Sequence, residues 1–242
     1  MSREVIGADG CAVGWVVVHL LDGAVADVEV APALAEVLDP APAAAGVDMP
    51  IGLLDRARDA DTAARGVLTG RASSVFSSPP RCVVDAFRTG TVDEHAAATA
   101  LAERVTGSGI SMQAWRLVPK IAEVDDLVAA GHDLREVHPE VAFAVLAGDV
   151  LPRKRSWAGM TTRRAILERH GIVLPERFPG DEDIAPDDVV DAAVCAWVAD
   201  AVAAGGPVLE LPEATEQRDH GRPITITARP PPPVTPGPRR SP

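Results

Sequence analysis

Four aspartates carry the chemistry open to this sequence. Asp9 closes the apolar segment EVIGAD between Gly7 and Gly10, where the backbone can turn closely around a ligand. Asp48 closes a second such segment, AAAGVD, and Pro50, which cannot donate to a strand ladder, ends it two residues later. In PDDVVDA, Asp188 and Asp191 stand three residues apart and share one helix face, whereas Asp187 points elsewhere. Gathered carboxylates repel one another, so a site that assembles them calls for a cation. Oxygen-only ligands select magnesium or manganese. Two such ions roughly 3.5 to 4 Å apart activate water and stabilise the leaving oxygen in phosphodiester cleavage, with no Ser or Cys nucleophile. Asp9, Asp48, Asp188 and Asp191 are thus candidate metal ligands and catalytic residues.

Each also has a plainer reading. Asp9 can start a turn with Gly10, and Asp48 can cap the segment that begins at Ile51. Asp188 can complement a helix dipole, worth about 0.3 to 1 kcal/mol. Asp191, a turn deeper and beside Ala192 and Ala193, is less easily explained that way.

Other residues could assist. In EVHPE, strand alternation puts Glu136 and His138 on one side, Glu136 as an auxiliary acid and His138 as a substrate contact. The competing account makes Pro139 and Glu140 an ordinary helix start and His138 a structural residue. The polar loop RASSVFSSPPR offers Ser73, Ser74 and Arg81 to phosphate oxygens, or is held by its own hydrogen bonds. Lys120 either contacts phosphate or pairs with Glu123.

The elements that must position these groups follow from pattern. EVIGAD, WVVVHLLDG and AVADVEVAP predict three antiparallel strands, the last two joined at Asp22 and Gly23. ALAEVLDP is a short helical pattern, and AAAGVDMP a buried strand. The order β, β, β, α, β thus places an aspartate at two strand ends. Residues from 53 to about 109 read as a helical insertion whose own core is too small for a domain. ISMQAWRLVPKIAEVDDLVAAG has helical spacing around Pro119, and DLREVHPEVAFAVLAG runs from strand to helix, with Pro139 in the first turn. A basic stretch becomes a helix that stops at Gly171. PDDVVDAAVCAWVADAVAAGG is the clearest helix, with Pro186 near its start and Gly205 at its end. The reading is one domain over 1–228 with a disordered proline-rich tail over 229–242.

Composition sets the bounds. With 47% apolar and 24% charged residues, the 242-residue chain can bury a core, built of small aliphatics because aromatics are only 3%. Apolar runs fall far short of the ~20 residues of a membrane span. Met1 leads straight into a strand without a signal-peptide pattern, which predicts a cytoplasmic protein with no membrane partner. Cys11, Cys82 and Cys195 form no CxxC pair, so neither a disulfide framework nor a zinc knuckle is expected, and Cys195 reads as core. The net charge of -12 opposes non-specific attraction to nucleic acid. Basic residues still gather locally at Arg153, Lys154, Arg155, Arg163 and Arg164.

Taken together, VIGADGCAVGW, VDMPIGL, RASSVFSSPPR, ISMQAWRLVPKIAEVD, EVHPEVAFAVLAG and DDVVDAAVCAWVAD resemble the bacterial family catalogued as domain of unknown function 429, regarded as predicted nucleases. The resemblance runs to about residue 205. It implies an α/β, ribonuclease H-like fold: a mixed central sheet of three antiparallel and two parallel strands, flanked by helices. It matches Asp9 to the first-strand aspartate of that superfamily, Asp48 to the acid after the fourth strand, and Asp188 with Asp191 to the last helix. That helix, with DxxDA, looks more like the one in Holliday-junction resolvases than the one in ribonuclease H. RKRSWAGMTTRR, containing Lys154 and Gly159, is more basic than the family's lysine-and-glycine pattern there. The leading expectation is a magnesium- or manganese-dependent nuclease or phosphodiesterase whose partner is DNA or RNA. The alternatives are a nucleotide-binding or phosphotransfer protein of actin-like ATPase type, which would want a second Gly-rich phosphate loop, and a non-catalytic binding protein on the same fold.

Overall fold

The computed structural model describes residues 2–232. Three long strands, β1 (Glu4–Cys11), β2 (Gly14–Leu21) and β3 (Ala24–Ala31), form an antiparallel meander. Two short strands, β4 (Ala45–Val47) and β5 (Leu134–Glu136), add to it in parallel, giving the order β3-β2-β1-β4-β5. This mixed five-stranded sheet is consistent with a ribonuclease H-like fold. The helical pattern before β4 is a single 3-10 turn, Leu34–Val37.

Because side chains alternate along a strand, the buried sheet feeds two cores. On one face Val5, Val16, Val18, Leu20 and Val28 meet α5 (Pro139–Ala147), α6 (Trp157–Arg169) and α7 (Pro186–Ala203). On the other, Ile6, Ala8, Trp15 and Val17 meet α2 (Arg81–Arg88), α3 (His95–Thr106) and α4 (Met112–Ala129). The helix α4 runs through Pro119 without a break. The 53–109 segment is therefore structural: Val83, Val84, Val92, Ala98 and Ala102 are buried in the second core. Its first helix, α1 (Asp59–Val67), belongs to a third, smaller cluster with α5 and the C-terminal strands.

Those strands are absent from the pattern reading. The chain pairs β6 (Leu209–Leu211) with β9 (Ile226–Ala228) and β7 (Arg218–Asp219) with β8 (Arg222–Pro223). Arg229, expected to open a free tail, instead lies over the Trp197 ring at 4.3 Å and donates to the Trp197 carbonyl at 3.0 Å. Most of the proline-rich tail, 233–242, lies outside the described residues. Among the described residues no helix is long and apolar enough to cross a membrane.

Two glycines bring α7 unusually close to the sheet. A Cβ on Gly7 would lie 2.0 Å from the Ala196 nitrogen and 2.2 Å from the Ala192 oxygen, and one on Gly46 2.5 Å from the Cys195 oxygen. The helix answers with small residues at Ala192, Cys195 and Ala196. Cys195 is core, as expected, and all three cysteines are free.

Candidate metal centre

The same contact sets the site. In the parallel β1–β4 register Ala8 faces Val47, and the Asp48 nitrogen donates to the Ala8 carbonyl at 2.9 Å. Asp9 and Asp48 are thus neighbours, each two residues beyond the glycine on which α7 rests, and so on the α7 face. Asp191 enters from the helix immediately before Ala192. The carboxylates of Asp9, Asp48 and Asp191 each offer an oxygen, and these lie within 4.8 Å of one another.

Asp9 and Asp191 are 7% and 1% exposed, and Asp48 is partly buried. Burial, followed by Asp48, Asp191 and Asp188, pushes the Asp9 carboxyl well above the usual carboxylate range. Burial raises Asp48 to about 7, with Asp188 and Glu140 adding and Lys154 opposing. Asp191 is also raised to about 7 by burial, against the pull of Lys154. Asp191 Oδ1 is buried without a hydrogen-bond partner. An all-oxygen donor set with one orphaned, desolvated oxygen fits a hard divalent cation.

Asp188, expected as a fourth ligand, stands outside this group of three. Three residues of helix rise, about 4.5 Å, carry it toward the α7 N-terminus, where it is half-buried and still raises the carboxyls of Asp9 and Asp48 by repulsion. Asp187 is likewise outside the group, but it borders it through an ion pair with Arg155 at 3.1 Å and with Lys154 at 3.5 Å.

Glu136 is not in the cluster either. Its carboxylate accepts from Arg58 at 2.5 Å and from the Ile51 nitrogen at 2.7 Å, and burial raises it to about 7 despite Arg58. With His138 it reaches Asp48 only across a cavity of about 20 Å³, room for about one water. His138 is the N-cap residue of α5, its ring nitrogen Nδ1 is buried without a partner, and burial lowers its pKa.

The expected phosphate contacts mostly have structural partners. Ser74 donates to the Arg71 carbonyl at 2.7 Å, holding its own turn. Arg81 pairs with Asp125 at 3.1 Å and Asp219 at 2.5 Å, tying α2 to α4 and β7. With His220 these acids form a second trio of potential ligands, but Arg81 and Arg88 already neutralise Asp125. Lys120 does not pair with Glu123. Its ammonium donates to the Gly14 carbonyl and lies 4.7 Å from the Trp15 ring centre, and burial lowers its pKa. Glu123 accepts instead from Trp15 Nε1 at 3.0 Å and from the Leu34 nitrogen at 2.5 Å.

Two charged residues beside these acids received no partner from the sequence pattern. Lys154 donates to Asp191 Oδ2, and the carboxylates around it hold its pKa above the usual lysine range. Arg58, 2% exposed, supplies the charge that Glu136 needs. The local basic cluster also divides, because Arg163 is buried and bound to Glu140 at 2.7 Å. One signal was available in the sequence: Gly7-Ala8-Asp9 and Gly46-Val47-Asp48 repeat a close-approach glycine two residues before an acid.

The fold and the centre define an α/β protein with a buried carboxylate site able to hold a cation. The chain belongs to the family described as protein of unknown function (DUF429), which matches residues 7–217. No curated protein and no solved structure matches it.

Proposed function

We propose that this protein is a divalent-cation-dependent phosphodiesterase acting on nucleic acid. The observation that carries the reading is the convergence of Asp9, Asp48 and Asp191 with Asp191 Oδ1 left bare. Asp9, Asp48 and Asp191 would hold magnesium or manganese, with Asp188 at the edge of the site. Such an ion supplies Lewis-acid stabilisation of a phosphoryl group and acidifies a water. Lys154 contributes positive charge beside the same carboxylates, and Glu136 is held in reserve by Arg58 across the small cavity.

The surroundings support a polyanionic substrate despite the net charge. Two open depressions of about 640 and 690 Å³ meet at Ser73. Arg153 lines the first and Arg56 the second, beside Arg71 and Arg65, which are already bound to Glu140 at 3.6 Å and to Ser77 at 2.9 Å. The first adjoins Lys154 in the chain, and the second shares Asp61 and Phe76 with the cavity beside Asp48. Arginines and serines along such a track suit phosphate oxygens. Trp157, 86% exposed three residues after Lys154, offers a face for base stacking.

The test is cleavage of single-stranded, duplex and branched DNA and RNA with magnesium or manganese, beside Asp9→Asn. The reading expects cation-dependent cleavage that the variant loses. Equal cleavage by Asp9→Asn, or none by the wild type on any substrate, refutes it.

A further inference from the structure

We propose that Lys154 serves as a built-in second cation, so that the centre takes one divalent ion rather than two. This rests on the reading of Asp9, Asp48 and Asp191 as a divalent-cation site. The two oxygens of Asp191 have different fates: Oδ2 accepts from the Lys154 ammonium, while Oδ1 is buried and bare. A carboxylate divided in this way offers one oxygen to an ion, and the bridge that would use both of its oxygens is closed. The ammonium also lies 3.5 Å from Asp187 Oδ2, on the side from which the α7 acids approach the centre. A second dication there would meet a fixed positive charge.

The loop around Lys154 is built to hold it still. Gly159 lacks the Cβ that would lie 1.9 Å from the Arg153 oxygen, so the backbone before the lysine packs directly on α6. The buried Arg163 donates to the Pro152 carbonyl at 2.8 Å and the Gly159 carbonyl at 3.0 Å, and its other end is fixed by Glu140. Beyond the lysine, Arg155 is pinned to Asp187 at 3.1 Å. The chain is thus held on both sides of the lysine. This fixes an ammonium beside carboxylates that would otherwise share a second ion. The Ser156 side chain, accepting from the Gly159 nitrogen at 3.0 Å, starts α6 just after this loop and completes the clamp.

The experiment counts Mn²⁺ bound to the full chain, by calorimetric titration and by the electron paramagnetic resonance of bound manganese. It compares wild type, Lys154→Met, which keeps the stem without the charge, and Lys154→Arg, which keeps the charge. The expected counts are one ion in wild type and in Lys154→Arg, and two in Lys154→Met, with a spin-coupled manganese pair seen only in the last. Two ions in wild type, or one in Lys154→Met, overturn the role of the lysine and leave the cation site standing. No ion in wild type overturns the cation site itself. Should Lys154→Met fail to fold, the wild-type count and Lys154→Gln still decide the matter.

Discussion

Replacing Asp48 by Asn removes one charge from the centre while nearly keeping its shape. Burial holds the Asp48 carboxyl at about 7 in the folded chain against 3.8 as the reference value. Between these two pH values the folded state keeps a proton that the unfolded state has lost. Stability therefore falls as pH rises across that window, and the loss is complete above pH 7. At 1.36 kcal/mol per pH unit the span corresponds to about 4 kcal/mol. Water reaching the partly exposed side chain lowers this, so the expected penalty is roughly 2–4 kcal/mol. Asn does not titrate and avoids it. In EDTA, Asp48→Asn should match wild type near pH 4 and exceed its unfolding free energy by roughly that amount at pH 8. With saturating magnesium or manganese the order should reverse, because the ion stabilises only the protein that binds it. Urea denaturation at both pH values, with and without the cation, reads all four cases. A variant that is less stable than wild type at pH 8 in EDTA would show that Asp48 is a structural cap and refute the reasoning.

Gly7→Ala should cost about 3 kcal/mol or more, since its new Cβ meets only backbone of α7 and the helix must move; it should also weaken cation-induced stabilisation, and a loss under 1 kcal/mol by denaturation would contradict the close-approach account. Burial holds Glu136 at about 7 despite Arg58 and Arg58 keeps Asp61 at 3.5 Å, so Glu136→Gln should gain stability relative to wild type as pH rises from about 5 to 8, whereas a relative loss over that range in urea denaturation would contradict this reading. If single-stranded oligonucleotides stack on Trp157, they should quench wild-type tryptophan fluorescence, and Trp157→Ala should abolish that quenching with the melting temperature unchanged; quenching that survives the substitution places the contact elsewhere.

The centre was legible where its residues sit near the ends of regular elements. Asp48 follows a short apolar strand, Asp9 lies two residues before the end of β1, which runs on through Gly10 to Cys11, and Asp191 lies in the second turn of the long helix α7. The meander was legible for the same reason, since periodicity and turn chemistry are local, whereas the parallel pairing of β4 and β5 was implied by the family resemblance alone. What could not be read depends on distant partners. Lys154 meets Asp191 37 residues later, and Arg58 meets Glu136 across 78. Arg81 looked like a phosphate ligand because Asp219, 138 residues away, leaves no mark near it. Strands of two and three residues such as β6 to β9 are too short for a period to show. Asp188 was assigned from helix periodicity, which fixes a face but not the depth along the axis.

The central claim, that Asp9, Asp48 and Asp191 together bind a divalent cation, is tested most directly by the melting temperature as a function of manganese concentration at pH 8. In wild type it should climb steadily with the logarithm of the free ion once the site begins to fill. In Asp9→Asn it should stay flat over the same range. A wild-type melting temperature that does not respond to manganese or magnesium, or a rise of equal slope in Asp9→Asn, would contradict the account.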